Sequence, residues 1–128
     1  MNRRILIYHH PCLDGMGAAL AAYLRFGDEI ECVPASYSNP PPGIPDDAEV
    51  IVADISWDPE AMAELKARSK KLVVIDHHAT ALRRLQGQEG RIAHESWLVM
   101  DRSGCVLTYE YLHPGQPVPE FFLRIQDQ

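Results

Sequence analysis

Positive charge is in short supply. Twelve lysines and arginines stand against 18 aspartates and glutamates, a formal net charge of −6, so the chain lacks the broad basic face with which proteins grip nucleic acid. A phosphate substrate is not excluded, because bound divalent cations reverse the field locally. Cysteine is scarce as well: Cys12, Cys32 and Cys105 are odd in number and have no paired spacing. That excludes a disulfide framework and fits a reducing compartment. No apolar run approaches the roughly 20 residues that cross a bilayer, so no membrane partner is expected. The short apolar run Ile5 to Tyr8 is broken by His9-His10-Pro11 where an export signal would continue. A cytoplasmic location is the expectation.

What is present is an ordinary globular composition, 46% hydrophobic and 23% charged over 128 residues, enough for one core and one domain spanning 1–128. Arg4 to Tyr8 (RILIY) reads as a buried strand, and Gly17 to Phe26, rich in alanine and leucine, as a helix ending at Gly27. Ile30 to Val33 reads as a second strand, and SYSNPPPGIPDD as a proline-rich surface loop. Glu49 to Ile55 is the next strand. Asp58 and Pro59 then form a helix start, as N-cap and first helical residue, with the helical pattern running to Lys70. After the strand KLVVID, the segment 79–91 holds a short helix, Leu98 to Met100 a strand, and Gly104 to Leu112 a helix stopped by Pro114 and Gly115. A last helix begins near Pro119. Strands alternating with helices predict an α/β fold: an open, mainly parallel, three-layer sheet with helices on both faces.

The stretch VVIDHHATAL, Val73 to Leu82, ends an apolar strand in Asp76-His77-His78, groups that are costly to desolvate and pack poorly. Two other strands end similarly, one before His9-His10-Pro11-Cys12-Leu13-Asp14-Gly15 and one at Asp54. In an open parallel sheet, ligands bind outside the carboxyl ends of the strands, so these residues can converge although far apart in sequence. Imidazole with carboxylate is ligand chemistry for Mn²⁺, Zn²⁺ or Fe²⁺, and a bridging carboxylate holds two metals roughly 3.5–4 Å apart. Taken alone, Asp54 reads as a turn residue or helix cap, and His9-His10 as an ordinary loop pair. The triplet has few packing explanations.

These residues resemble the DHH phosphoesterase family, which includes single-strand exonucleases, oligoribonuclease-type enzymes, cyclic-dinucleotide phosphodiesterases and family II pyrophosphatases. HPCLDGMGAA resembles its first motif, VADIS its second, IDHHAT its third and RSGCVLTYEYL its fourth region, in family order. The resemblance implies a two-metal centre, usually manganese, with Zn²⁺, Fe²⁺ or Mg²⁺ as alternatives. It implies as ligands His10 or its neighbour His9, Asp14, Asp54 and His77, with Asp127 as a further carboxylate. Asp76 would orient its neighbours and His78 would face the substrate phosphate, so these two are the implied catalytic residues. Cys12 stands where many members carry the first aspartate. One metal then loses a hard oxygen ligand or gains a soft sulfur one, and a small half-buried cysteine without a role is the competing reading. The chain stops at Gln128, whereas family enzymes continue into a second, substrate-binding domain. The expectation is a truncated chain, a gene fragment, or a protein whose cleft needs a partner, including a second copy.

The reaction so implied is hydrolysis of a phosphoester or phosphoanhydride in a phosphate-containing small molecule or short nucleic acid, by metal-activated water. Arg102, Ser103 and Gly104 are candidate phosphate-binding residues, through the guanidinium and the free N–H groups of a helix start, although a solvated arginine is the simpler reading of Arg102. Two other classes compete. One is a metal- or nucleotide-binding module without turnover. The other is a dinucleotide-binding turn on Gly15-Met16-Gly17, weakened because Leu20 stands where the third glycine is needed. The pair Phe121-Phe122 suggests an apolar surface that needs cover.

Overall fold

The computed structural model describes residues 3–127. Five strands form one sheet: β1 (Arg4–His9), β2 (Glu31–Ala35), β3 (Glu49–Ala53), β4 (Lys71–Asp76) and β5 (Glu95–Leu98), in the order β2-β1-β3-β4-β5 with every pairing parallel. Six α-helices accompany them: α1 (Leu13–Phe26), α2 (Pro59–Arg68), α3 (Ala79–Leu85), α4 (Glu89–Ile92), α5 (Gly104–Leu112) and α6 (Glu120–Gln126). The expected α/β class holds.

Alternation along the strands makes three layers. Ile5, Ile7, Val50, Val52, Leu72 and Val74 point to one face, where Met62 and Leu65 of α2 and Ile92 of α4 close the core. Leu6 and Ala53 point to the other, under Ala18 and Ala22 of α1 and Leu112 of α5. The small inner face of α1 lets it lie close to the sheet. Buried Phe122 and Ile125 of α6 pack with Tyr109 of α5, so only Phe121 of the Phe121-Phe122 pair is exposed.

Local chemistry explains most boundaries. The Asp58 carboxylate accepts from Ala61 N at 2.9 Å and Pro59 opens α2. Ser103 caps α5 by accepting from Val106 N at 3.3 Å. Three expectations shift. Helix α1 starts at Leu13, not Gly17, because Gly15 and Gly17 do not mark a loop. They are glycine because the chain is crowded there: a Cβ on Gly15 would strike the His9 carbonyl, and one on Gly17 would lie 2.8 Å from Cys105 Cβ. The segment 79–91, expected to hold one short helix, holds α3 and the start of a second, α4, separated by a break at Gly87, whose φ of 82° only glycine adopts freely. β5 lies at Glu95–Leu98 and not at 98–100. Pro34 sits in β2, which pairs only with β1 and so tolerates a missing donor.

Sequential strands β1 and β2 run one way across the sheet and β3, β4 and β5 the other, so the order reverses between β1 and β3. A crevice opens outside the carboxyl ends at such a switch point. His9 ends β1 and Asp54 follows β3 directly, on its two sides.

Candidate metal centre

Three strand tips and one helix start meet at this edge. His9 closes β1; the turn through Cys12 leads to Asp14 in the first turn of α1; Asp54 follows β3; Asp76 closes β4 and leads through His77 and His78 into α3. Asp54 and Asp76 are fully buried. Asp54 takes left-handed backbone, φ 65°, which aspartate tolerates better than most residues. This conformation turns its carboxylate into the crevice.

Asp54 presents its two oxygens to two different groups. On the Oδ1 side His77 Nε2 lies at 2.8 Å, and the same nitrogen is 3.0 Å from Asp14 Oδ2. On the Oδ2 side the Cys12 thiol donates at 3.3 Å and His9 Nδ1 lies at 3.6 Å. Ligand-type atoms of Asp54, Asp76, His77 and His78 fall within 4.8 Å of one another, and so do those of His9, Cys12 and Asp54.

Asp14 is locked by α5: Gly104 N donates to its Oδ2 at 2.9 Å and Cys105 N to its Oδ1 at 2.8 Å. Gly104 has no room for a side chain, since a Cβ would lie 2.8 Å from Asp54 Oδ1. Asp76 is saturated. Its Oδ2 accepts from Ser56 Oγ at 2.9 Å, and its Oδ1 takes His77 N at 2.8 Å and His78 Nδ1 at 2.7 Å. Arg84 in turn donates to the Ser56 carbonyl at 3.0 Å. Tyr37 closes the rim, its ring 5.1 Å from His9 and its hydroxyl 3.5 Å from His78 Nδ1.

The charges are strongly coupled. Burial pushes the Asp14 carboxyl up, but hydrogen bonds from His77, Cys105 and Gly104 together hold it well below its usual range. Asp54 moves the other way: burial raises it, and the nearby Asp14 charge adds to that despite His77. In Asp76, burial raises the carboxyl, but the hydrogen bond and charge of His78 together with the Ser56 hydroxyl and the His77 N–H outweigh it, and the carboxyl is lowered. His77, hydrogen-bonded to Asp14 and Asp54, is raised to about 10, and His78 is raised by its bond to Asp76. Burial raises the Cys12 thiol and the Tyr37 phenol. Without a cation, a proton on His77 offsets part of the charge of the two carboxylates that face it.

These residues fit a cation. Bonds of about 2.1 Å at right angles give an octahedral ligand–ligand edge of about 3.0 Å, and His77 Nε2 meets its two carboxylate oxygens at 2.8 and 3.0 Å. His9 Nδ1 is buried and has no hydrogen-bond partner among the described residues. An orphaned nitrogen facing a carboxylate calls for a ligand.

Not every expected residue joins the centre. Of the pair His9-His10, His9 faces Asp54, whereas His10 is exposed, its ring edge-on to Tyr8 at 6.3 Å and its N–H bonded to the Ala35 carbonyl. Asp127 is exposed at the end of α6 and belongs to neither ligand group. Its neighbour Gln126 is the residue that reaches inward, accepting from Ser103 N at 2.9 Å. The N–H groups of Gly104 and Cys105 are taken by Asp14 and are not free for phosphate. Arg102 is exposed and paired with Glu110 at 2.6 Å and Asp101 at 3.6 Å. Gly15 and Gly17 are packed against His9 and Cys105, which leaves no dinucleotide cradle there. Ser56 closes the VADIS motif without an assigned role, and Tyr37 belongs to no motif. Ser56 lies two residues past a strand-tip aspartate, a weak signal, and Tyr37 gave none within a proline-rich loop.

An open parallel α/β sheet with carboxylates and imidazoles gathered at its topological switch point defines the class, an α/β domain with a candidate metal site at the strand tips. More narrowly, the chain belongs to the DHH family: the model of the DHH family, N-terminal domain, matches residues 4–125. That family is one of metal-dependent phosphoesterases. It is similar to the uncharacterized protein R106 of Acanthamoeba polyphaga mimivirus, 26% identical over 97% of this chain and 32% of the viral protein. Its fold resembles the crystal structure of an uncharacterized protein from Helicobacter pylori G27, with a TM-score of 0.69 at 15% identity over 92% of this chain and 37% of that one. The chain thus spans about a third of the length of each. Among the described residues, no helix is long and apolar enough to cross a membrane.

Proposed function

We propose that this chain hydrolyses a phosphodiester or phosphoanhydride bond, in a nucleotide, oligonucleotide or pyrophosphate-like substrate, with water activated at a pair of divalent cations. Two-sided presentation of Asp54 carries the reading: one carboxylate serves His77 and Asp14 through Oδ1, and His9 and Cys12 through Oδ2. His9, Asp14, Asp54 and His77 would hold the metals, Mn²⁺ by family resemblance with Zn²⁺, Fe²⁺ or Mg²⁺ as alternatives. Bound there, the cations supply charge for the phosphate and bring the pKa of a bound water near neutrality.

The remaining roles fall to the protein. Asp76 accepts the Nδ1 proton of His78, which fixes the ring and leaves Nε2 to meet a phosphoryl oxygen or to protonate the leaving oxygen. Ser56 and Arg84 hold Asp76 in place from behind. His77 must shed its proton to ligate, so cation binding releases that proton to solvent.

The test is metal content by mass spectrometry together with hydrolysis of a generic phosphodiester, a short oligonucleotide and pyrophosphate, for wild type, Asp76→Ala and His77→Ala. Loss of bound metal in His77→Ala and of turnover in both is expected. Unchanged content and rate in both variants would refute the assignment. Because the chain matches only about a third of each longer relative, a second reading is a metal-binding module whose turnover needs further protein. Full metal loading with no turnover of any of the three substrates would select it.

A further inference from the structure

Resting on the metal-centre reading above, we propose that Cys12 is itself a ligand on the Oδ2 side of Asp54, and that its sulfur tunes that position to a borderline-soft cation such as Zn²⁺, Fe²⁺ or Co²⁺ in preference to Mn²⁺ or Mg²⁺. The centre is then asymmetric, with oxygen and nitrogen donors at one position and nitrogen, oxygen and sulfur at the other.

Geometry supports this. For bonds of about 2.0 Å to nitrogen or oxygen and about 2.3 Å to sulfur, a tetrahedral site has edges of about 3.3 to 3.5 Å. Cys12 Sγ to Asp54 Oδ2 is 3.3 Å and His9 Nδ1 to the same oxygen is 3.6 Å. The Oδ1 side has the shorter edges, 2.8 and 3.0 Å, that suit hard six-coordinate ions. His9 contributes the independent observation, since its buried Nδ1 has no hydrogen-bond partner among the described residues and lies in the same group as the thiol.

Local structure gives Cys12 no other task. It is the N-cap of α1, a position that favours serine, threonine, aspartate or asparagine, yet its side chain makes no capping hydrogen bond. The thiol donates to Asp54 Oδ2. The other two cysteines are placed as small apolar residues: Cys105 is buried beside Tyr109 and Phe122, and Cys32 packs against the cluster under α1. Coordination balances simply. The S–H bond breaks, one proton goes to solvent, and the sulfur lone pair forms the metal bond with no change of oxidation state. Soft thiolate donors favour Zn²⁺, Fe²⁺ and Co²⁺ over Mn²⁺ and Mg²⁺.

The probe is cobalt(II), titrated into the reduced, metal-free chain under argon and followed by absorption. Wild type should show visible d–d bands and, with them, a near-ultraviolet thiolate-to-cobalt charge-transfer band. That second band should be lost in Cys12→Ser and Cys12→Asp and kept in Cys32→Ser. In competition, the preference for Zn²⁺ over Mn²⁺ should fall at least tenfold in Cys12→Asp. Visible bands without a charge-transfer band in the wild-type chain would overturn the role of Cys12 and leave the metal centre standing, whatever the variants do. Absence of all cobalt bands would bring down the metal centre and this inference together.

Discussion

Raising the pH of the metal-free chain from about 6.5 to about 8.5 should weaken it, and His77 is the main reason. Its imidazolium bridges Asp14 and Asp54, which raises its pKa from 6.5 to about 10. A group whose folded pKa is raised stabilises fully below the unfolded value and loses that contribution as pH climbs through the folded one. Over two pH units inside this window, at about 1.36 kcal/mol per unit, the ceiling is roughly 2–3 kcal/mol. The ring is partly solvated, and halving for screening leaves about 1 kcal/mol, or a fall in Tm of about 4 °C for a chain of this size. His78, raised by Asp76, acts in the same direction, while exposed His94 is lowered and acts weakly against both. Asp14 and Asp76 are lowered and contribute a constant amount across the window. The raised Cys12 and Tyr37 act only above it, so the measurement stops at about 8.5. The assay is urea unfolding in EDTA at three pH values, for wild type, His77→Gln and His78→Gln. His77→Gln should flatten the dependence most. A slope equal to that of wild type would refute the account of His77. With a cation added the trend should reverse, because ligation needs the neutral ring and binding tightens as pH rises.

Other consequences are open to equally direct measurement. Gly104→Ala should cost about 1–3 kcal/mol in urea unfolding and reduce metal uptake, because its Cβ would press on a buried carboxylate at 2.8 Å. Ser56→Ala removes the partner of Asp76 Oδ2 and should cost about 1–3 kcal/mol while lowering kcat more than it raises KM. Asp58→Ala should cost about 1 kcal/mol with unchanged metal content, since it only caps α2. Arg102→Gln should leave hydrolysis within twofold of wild type, because its guanidinium is already engaged by Glu110 and Asp101. A tenfold loss there would show that the arginine leaves Glu110 to meet substrate.

The legible parts of the fold were those written in short-range chemistry. Asp58-Pro59 marked the start of α2 and Ser103-Gly104 that of α5, because caps are local and cheap to read. KLVVID could be only a buried strand. Less legible was anything decided by a distant neighbour. Gly15 and Gly17 look like a turn in sequence, yet they lie inside α1 because His9 and Cys105 come too close for a side chain. The N-terminus of α5 looks like an open anion site, and a carboxylate 90 residues away already fills it. His9 and His10 are indistinguishable as neighbours in sequence. Strand pleat separates them, since the end of β1 turns one toward Asp54 and the other to solvent.

The same reasoning explains why the triplet Asp76-His77-His78 reads more clearly than Asp54, although Asp54 is the hub of the centre. Asp76 has its oxygens spent on Ser56, on the His77 N–H and on His78. Its place directly before the two histidines is therefore a local requirement, and local requirements leave a motif. Asp54 acts through residues 40 positions upstream and 23 downstream, as its contacts with Asp14 through His77 and with His77 itself show. Its only local trace is a left-handed φ of 65°, a property of backbone and not of spelling. Asp54→Asn separates the two roles. The amide keeps the shape and the backbone preference but cannot offer two anionic oxygens, so the chain should fold with a Tm near that of wild type at about pH 8.5 and yet bind no more than one equivalent of cobalt. Two bound equivalents in that variant would mean that the carboxylate does not bridge.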